Sequence, residues 1–303
     1  MAGAGTTMRF RTISRSAAAL AALLGLACAP VAARDKETDD KGTADAVETT
    51  IGASVLSDYR YRGISLTRLR PSASASFEVA RDGFYVGGLL YAVRLPGSPV
   101  AELTGTAGIR RTLAGIDFDL WAEAYYYPHE TPAPGDGATN YWQANLKGSH
   151  KFDGFELIGQ LGYSPTVWNS GAWGVYGSGV LNFDMPTFKL PSGDIDWKLV
   201  GELGYQSFGT TSLGSQLPDY AHWRLGTVFT RGEWNLEVNY QDTNLSKESC
   251  FVLTGDTSSG GWLAAIGDSG SRRFVANNDG LRSDLCGRAA VAVLSFEFSP
   301  PKR

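Results

Sequence analysis

Apolar and polar residues alternate with a period of two along most of the chain after residue 49. The segment 116–127 shows this most clearly, since every even-numbered position is apolar or aromatic and three odd-numbered positions are acidic. Successive side chains of a β-strand point to opposite faces, so the pattern predicts strands with one apolar and one polar face. Twelve strands are predicted, over residues 49–62, 71–80, 84–94, 101–111, 116–127, 140–151, 155–164, 172–183, 195–208, 220–230, 234–245 and 288–298.

The predicted strands are long, and the connections between them alternate in length. The strands have 10–14 residues, whereas globular strands usually have about 5–6 and tilted membrane strands need about 9–11. Short turns at one end and long loops at the other are typical of outer-membrane barrels. The short connections are 81–83, 112–115, 152–154 and 231–233, the long ones are 63–70, 128–138, 209–219 and 246–287, and 184–194 is a long member of the short set.

Aromatic residues gather on the apolar face near the strand ends, where the two lipid–water interfaces of a membrane barrel require them. They are Tyr59, Tyr61, Phe84, Tyr126, Trp197, Trp234, Tyr240 and Phe298. With strand length and loop asymmetry, they favour a membrane barrel over a soluble β-sandwich. We predict an all-β fold, an antiparallel transmembrane β-barrel of about 12 strands, closed so that no strand edge is left unpaired in hydrocarbon.

The N-terminus predicts export. Residues 1–33 contain Arg9, Arg11 and Arg15, then an apolar stretch and small residues, as in a cleaved signal peptide. A buried N-terminal helix and a lipoprotein anchor at Cys28 are the weaker alternatives. Residues 34–48 are charged and lack aromatics, which predicts a disordered periplasmic tail. The barrel then covers 49–298, followed by a C-terminal tail, 299–303. We expect a Gram-negative outer membrane, with both termini in the periplasm.

Two cysteines, Cys250 and Cys286, remain after the predicted cleavage. An even pair in an exported protein predicts a disulfide, and two free buried thiols are the alternative. The bond would close the base of the predicted long extracellular loop, 246–287.

The first predicted strand ends in the run SDYRYRGIS at 57–65. Together with Pro71, GFYVG at 83–87 and YYYP at 125–128, this run resembles the TorF-type family of proteobacterial porins, itself poorly characterised. The resemblance covers most of the chain after residue 49. It implies an outer-membrane β-barrel with a pore function and an unknown solute, and it carries over no binding residues.

The C-terminal strand indicates one partner. Its ending, Phe296-Glu297-Phe298, resembles the aromatic-ended strand that the barrel-assembly machinery recognises, although residues 299–303 depart from that pattern. Outer-membrane lipid and small solutes are the other expected partners. Nucleic acid is not expected, because 27 Lys and Arg residues against 31 Asp and Glu give a net charge of −4. The sequence does not indicate an oligomeric state.

The polar strand faces would line the lumen. A twelve-stranded barrel lies between small barrels filled by side chains and large ones with open channels, so a narrow pore and a plugged one both remain open. Mixed charges indicate a network of ion pairs with an acidic excess, which favours cations or neutral solutes. The predicted pore-lining residues are Asp58, Arg60, Arg62, Glu102, Arg110, Asp117, Asp119, Glu123, Lys198, Glu202, Arg224 and Glu237.

Two of these residues, Arg60 and Arg62, have two interpretations. On a strand they share a face with Asp58, near the outer mouth, while Tyr59 and Tyr61 take the lipid face. They either contact anions at a constriction or form structural ion pairs with Asp58 and acids of neighbouring strands. We favour the structural interpretation.

Other functional classes find less support. The sequence contains no metal-ligand spacing, phosphate-binding loop or nucleophile elbow. We therefore predict no cofactor, no metal, no catalytic residue and no enzymatic activity. The only pairing worth testing for a hydrolase is His222 with Asp219, near Ser215, and a solvated histidine at a loop edge is the simpler interpretation. The main alternative to a porin is a surface-interaction barrel with an occluded lumen, binding through 246–287.

Overall fold

The computed structural model describes residues 47–131, 138–256, 262–266, 272–276 and 282–300. They form a closed barrel of twelve antiparallel strands, in which each strand pairs with its neighbours in sequence and β1 pairs with β12. The predicted all-β barrel of 12 strands is confirmed. The barrel strands are β1 Glu48–Leu56, β2 Ser72–Arg81, β3 Phe84–Ala92, β4 Ala101–Leu113, β5 Ile116–Tyr126, β6 Tyr141–Phe152, β7 Phe155–Ser164, β8 Gly174–Phe188, β9 Ile195–Phe208, β10 Tyr220–Arg231, β11 Trp234–Thr243 and β12 Ala289–Phe298.

The structure describes only part of each chain end. The predicted signal peptide, 1–33, and residues 34–46 of the predicted tail lie outside the described residues, so both stay predictions. Glu48, which the sequence placed in the tail, is the first residue of β1. After β12, the Ser299 hydroxyl is hydrogen-bonded to the Thr50 hydroxyl at 3.0 Å, which joins the two ends of the barrel wall.

The barrel is apolar outside and polar inside. Outward-facing Leu203 and Leu225 are 64% and 67% exposed, whereas inward-facing Glu102 and Glu123 are 1% and 5% exposed. Lipid, not water, stabilises an outer surface of this kind, so the fold is a barrel of the outer-membrane type. Of the predicted interface aromatics, the following are exposed on the outer face: Phe84, Tyr126, Trp234, Tyr240 and Phe298.

The two ends of the barrel differ, and we call them the turn end and the loop end. At the turn end, Asp82-Gly83 and Ala114-Gly115 are two-residue turns in which both residues have positive φ, as type I′ hairpins require. The connection after β8 is shorter than expected, because β8 continues to Phe188 and not only to residue 183. Both described chain ends also lie at the turn end, as the pairing of β1 with β12 requires.

The prediction for the first strand is wrong beyond Leu56. The chain leaves the wall there and folds into the lumen as residues 57–69, which we call the inserted segment. A small hairpin lies within it, pairing Arg60–Tyr61 with Ile64–Ser65 around Arg62 and Gly63, whose φ values are 50° and 84°. Tyr59, expected on the lipid face, is therefore buried inside at 2% exposure.

The long loop after β11 is partly ordered into secondary structure. Helix α1, Lys247–Thr254, begins at Ser246, whose hydroxyl accepts from the Ser249 N–H, and ends at Gly255 in the left-handed conformation. A two-stranded hairpin follows, with strands Trp262–Ile266 and Arg272–Ala276. The predicted disulfide between Cys250 and Cys286 is present. No helix in the described part of the chain is long and apolar enough to cross a membrane.

Candidate functional site

The inserted segment is held together by one buried carboxylate. Asp58 accepts from Arg60 Nε at 2.7 Å, from the Ser65 hydroxyl at 2.6 Å and from the Thr67 hydroxyl at 2.7 Å. The side chains of Arg60 and Asp58 are 1% and 8% exposed, so this is a buried ion pair. Arg60 also donates to the backbone carbonyls of Gly63 and Gly287. The ion pair between Arg60 and Asp58 is the one predicted by the interpretation in which Arg60 has a structural role.

One side of the inserted segment is fixed to β3 and β4. The Tyr59 ring stacks on Tyr91 with centroids 3.7 Å apart, and its hydroxyl donates to Glu102 at 2.9 Å. Tyr127 donates to the other oxygen of Glu102 at 2.8 Å. Glu102 is therefore a fixed double acceptor between the segment and the wall.

Arg62 carries the segment across the lumen to the opposite wall. It donates to Gln206 of β9 at 2.6 Å and to Gln143 of β6 at 3.0 Å. Its guanidinium also lies over the Tyr176 ring of β8, 3.8 Å from the centroid. Because β6 to β9 face β1 across a twelve-stranded ring, these contacts span the full width of the barrel.

A polar cluster behind Arg62 joins it to Glu123. The Glu123 carboxylate accepts from the Tyr125 hydroxyl at 2.7 Å, from Gln143 at 3.1 Å and from Asn145 at 3.0 Å. Gln143 therefore contacts Arg62 with its carbonyl and Glu123 with its amide. The arginine and the glutamate interact through a neutral amide and not directly.

A second charge network lies on β9 to β11. Arg224 sits between two acids, donating to Glu202 at 3.0 Å and to Glu237 at 2.6 Å. The Tyr176 hydroxyl contacts both Glu202 and His222, at 3.3 Å and 3.0 Å. This side of the lumen carries two carboxylates for one guanidinium, consistent with the predicted excess of acids.

The expectation for His222 is wrong. A solvated histidine at a loop edge was predicted, but the His222 side chain faces the lumen and the residue is 4% exposed. The His222 ring is hydrogen-bonded to the Tyr176 hydroxyl, while Asp219 accepts from the Phe208 N–H at 2.7 Å and from the Ser207 hydroxyl at 3.0 Å. The proposed hydrolase pairing of His222 with Asp219 is not formed.

The turn end of the lumen holds a third network. Arg110 makes a bidentate contact with Glu78 at 2.6 and 2.7 Å, and its Nε donates to Asp119 at 3.2 Å. Lys147 lies 3.8 Å from Asp119. Charges of both signs therefore alternate around this part of the lumen. Two further predicted lining residues differ in exposure: Lys198 is half-buried, whereas Asp117 is exposed near the turn and accepts from Thr112.

The structure brings most of the predicted lining residues into the lumen, although their role in a pore stays a prediction. Asp58, Arg60 and Arg62 reach it by the inserted segment and not by β1. The most important contacts missed by the sequence are neutral amides, Gln143 and Gln206, which receive Arg62 from two sides. Nothing in their local pattern marks them, because a glutamine on a polar strand face is ordinary.

The inserted segment divides the lumen into two cavities. A cavity of about 420 Å³ lies at the loop end and is called the vestibule; it is lined by Arg62, Tyr125, Tyr141, Trp168, Phe208 and Leu253, among others. A cavity of about 60 Å³ lies on the other side, against Asp58, Arg60, His222 and Arg224. Arg62 lines both, so this residue forms part of the partition between them.

An apolar cluster covers the loop end. Ile64 of the inserted segment packs with Phe208, Leu217, Leu285 and the disulfide. The Ser65 N–H donates to the Leu285 carbonyl at 2.8 Å, which attaches the inserted segment to the last loop. Among the described residues, no group of three His, Cys, Asp or Glu side chains is arranged to hold a metal ion.

Comparison with known families gives one match. A family model described as "Bacterial protein of unknown function (Gcw_chp)" matches residues 40–267. The TorF-type name suggested by the sequence is not confirmed by this match. No curated protein matches the chain.

Several solved barrels resemble the structure at low identity. A KdgM porin has a TM-score of 0.45 and 8% identity, covering 82% of this chain and 99% of its own. A NanC porin has a TM-score of 0.42 and 8% identity, covering 82% and 98%. The COG4313 outer membrane channel from Pseudomonas putida F1 has a TM-score of 0.36 and 12% identity, covering 86% and 99%. All three TM-scores are below 0.5.

Proposed function

The chain belongs to the bacterial family Gcw_chp, and we propose that it is a porin-like outer-membrane barrel in which the inserted segment restricts the passage of small solutes. The cavity beyond the segment is lined by charged and polar side chains, and the vestibule carries polar groups among its aromatic walls, which supports a path for hydrated solutes. The segment is joined to the rest of the barrel by side-chain contacts and by a few backbone hydrogen bonds, such as that from the Arg94 N–H to the Leu66 carbonyl, so displacing it breaks no covalent bond. Passage therefore requires a change in the position of residues 57–69.

The observation that carries this proposal is the set of contacts made by Arg62. A segment that served only to stabilise the wall would have no need to reach the opposite strands, yet Arg62 contacts Gln143, Gln206 and Tyr176. Neutral amides hold a guanidinium less strongly than carboxylates do, because hydrogen bonds between two ionised groups are the stronger kind. Asp58 therefore holds the segment together internally, while the tip is held to the opposite wall by neutral amides.

The proposal includes an orientation and a solute class. Short turns and both described chain ends lie at one end of the barrel, which supports a periplasmic turn end and an extracellular loop end. The acids of the lumen outnumber the bases, which supports weak selectivity for cations and neutral solutes. Lipid surrounds the wall, and the terminal strand β12 is the proposed contact for the barrel-assembly machinery. We propose no catalytic role, since His222 pairs with Tyr176 and not with Asp219, whose serine contact, Ser207, therefore has no histidine base beside it.

A liposome-swelling assay tests passage. Folded, heat-modifiable protein in liposomes is expected to admit a pentose slowly and to exclude a trisaccharide, because the inserted segment narrows the lumen. Liposomes without protein and liposomes containing a barrel denatured before reconstitution are the controls. Absence of swelling with the pentose, at full incorporation of folded barrel, would sink the porin proposal.

A second function is favoured by the covered loop end. The apolar cluster formed by Ile64, Phe208, Leu285 and the disulfide closes part of the mouth, as expected for a surface-interaction barrel with an occluded lumen. In that case the barrel binds its partner through the last loop, 246–287. The swelling assay separates the two, because an occluded barrel passes neither sugar.

A further inference from the structure

The vestibule has the size and lining of a ligand site. Its volume of about 420 Å³ falls within the range of about 300–1,000 Å³ that is usual for small-molecule pockets. Its walls are mainly apolar and aromatic, with a few polar groups at the floor, where the inserted segment crosses the barrel. Pockets of this composition hold a ligand by its body and orient it by a few polar contacts.

Aromatic rings form a continuous part of the wall. On β5 and β6, Tyr125 and Tyr141 are stacked with centroids 4.4 Å apart, and Trp168 packs against this pair. Trp168 and Phe208 lie 5.7 Å apart, and Phe208 and Tyr220 lie 6.3 Å apart. Rings of this kind offer flat apolar surfaces, which stack well on another flat ring.

The floor of the vestibule provides a cation, Arg62, whose two hydrogen-bond acceptors are neutral amides, with Glu123 on the far side of Gln143. Arg62 uses two N–H donors, toward Gln206 and Gln143, and a guanidinium has five. By contrast, both acids of the vestibule are already satisfied. Glu102 accepts from two tyrosine hydroxyls, and Glu130 accepts from the Thr139 N–H and hydroxyl. The available charge in the vestibule is therefore positive.

The backbone positions two of these side chains at an energetic cost. Arg62 and Trp168 have φ values of 50° and 49°, in the left-handed region that residues other than glycine seldom adopt. Unfavourable backbone conformations of this kind are concentrated at ligand sites, where surrounding structure maintains them. The cation and one aromatic wall of the vestibule are both held in this way.

The geometry points to a binding site for an organic monocarboxylate with a flat, aromatic body. The carboxylate lies against the free donors of Arg62, since a guanidinium and a carboxylate form paired hydrogen bonds. The body lies in the cavity against the aromatic wall that Tyr125, Tyr141, Trp168 and Phe208 form. This inference goes beyond the proposed passage of solutes, because a ligand binds at the vestibule whether or not the inserted segment moves.

Calorimetry on the folded, detergent-solubilised protein tests the site with three probes. They are 2-naphthoate, its neutral counterpart 2-naphthamide, and D-gluconate, a carboxylate without an apolar body. We expect 2-naphthoate to bind most tightly. In Arg62→Gln its dissociation constant rises by about tenfold to a hundredfold, the loss expected for hydrogen bonds to a charged group, while that of 2-naphthamide stays unchanged. Arg110→Gln, which removes a lumenal arginine outside the vestibule, leaves both constants unchanged.

Two further measurements keep the inference testable if Arg62→Gln does not fold. Added salt weakens 2-naphthoate binding to the wild-type protein but not 2-naphthamide binding, because only the carboxylate pairs with a charge. Trp168→Ala weakens both naphthalene probes. Equal binding of naphthoate and naphthamide would overturn the role of Arg62, and tighter binding of gluconate would overturn the apolar site. These binding measurements do not depend on conductance, so the ligand site and the proposed pore are tested independently of each other.

Discussion

Removal of the Asp58 carboxylate is the sharpest perturbation of the inserted segment. Asp58→Ala deletes the acceptor of Arg60, Ser65 and Thr67 at once. The Arg60 side chain is 1% exposed, and its Nη2 has no partner even in the intact protein. The variant therefore buries an unpaired guanidinium for as long as the segment stays in the lumen.

The size of the effect follows from that buried charge. Breaking a buried ion pair from one side costs about 3–5 kcal/mol, and we take the lower figure because Arg60 keeps the carbonyls of Gly63 and Gly287 as acceptors. About 3 kcal/mol corresponds to roughly a hundredfold change in an equilibrium constant. The cost applies only to the inserted state, so the displaced state is expected to be about a hundredfold more populated than in the wild type.

Planar-bilayer recording measures this population as the fraction of time spent at high conductance. Asp58→Ala is expected to raise that fraction about a hundredfold, or to saturation. Asp117→Ala is the matched control, since Asp117 is exposed near the turn end and contacts Thr112. The double variant Asp58→Ala/Arg60→Ala removes the unpaired charge as well and is expected to lie between Asp58→Ala and the wild type. Wild-type open fractions in a well-folded Asp58→Ala protein would refute this reasoning.

Two other predictions concern the wall and the last loop. Leu225 faces outward and is 67% exposed. Leu225→Arg is therefore expected to lower the free energy of unfolding in lipid by about 2–4 kcal/mol, the cost of an arginine facing lipid near the bilayer midplane. Urea titration in vesicles measures this free energy, and Arg224→Lys, which keeps a positive charge inside the barrel, is the comparison. The disulfide joins residues 36 positions apart. Removing it with Cys250→Ser/Cys286→Ser is expected to speed protease cleavage within 246–287, because the loop loses a constraint of about 3–4 kcal/mol on its unfolded state.

Each of these predictions has a contradicting outcome. An unfolding free energy for Leu225→Arg within error of the wild type would mean that this position does not face hydrocarbon. Unchanged cleavage rates in the cysteine variant, with the barrel intact, would mean that the loop is held by its other contacts. One such contact is the salt bridge of Arg68 with Asp256, which also attaches the inserted segment to the last loop.

The sequence predicts the barrel wall well, because the wall follows a local rule. Residues that alternate in sequence alternate between lipid and lumen, and the pattern of 116–127 reappears in β5 almost residue for residue. The disulfide was likewise predictable, since the predicted cleavage of residues 1–33 leaves only two cysteines. The wall follows from the alternation of neighbouring residues, and the disulfide follows from the number of cysteines.

The inserted segment was not predicted. Its residues do alternate between polar and aromatic, but its position inside the barrel depends on contacts with residues that are distant in sequence. Arg60 and Tyr61 remain extended, as in a strand, and only contacts distant in sequence show that they lie in the lumen. Tyr59 bonds to Glu102, 43 residues away. A local pattern cannot distinguish a tyrosine that meets lipid from one that meets a buried glutamate.

One signal for the inserted segment was present in the sequence. The third predicted strand was apolar on both faces, which is unusual for a barrel with a wet interior. In the structure, Leu89 and Tyr91 of β3 face inward and pack against Tyr59. An apolar lumenal face therefore indicates that something inside the barrel covers it. The amides Gln143 and Gln206 gave no such signal, because their importance comes only from Arg62.

By restricting the lumen, the inserted segment, residues 57–69, is proposed to set the conductance of the barrel. The register pairs Leu56 of β1 directly with Ser72 of β2, so residues 57–71 can be replaced by a two-residue Asn-Gly turn. Single-channel recording of this variant beside the wild type is the most direct measurement. If residues 57–69 restrict the lumen, the variant gives a larger and steadier conductance than the wild type. Equal conductance from the two folded proteins would contradict it.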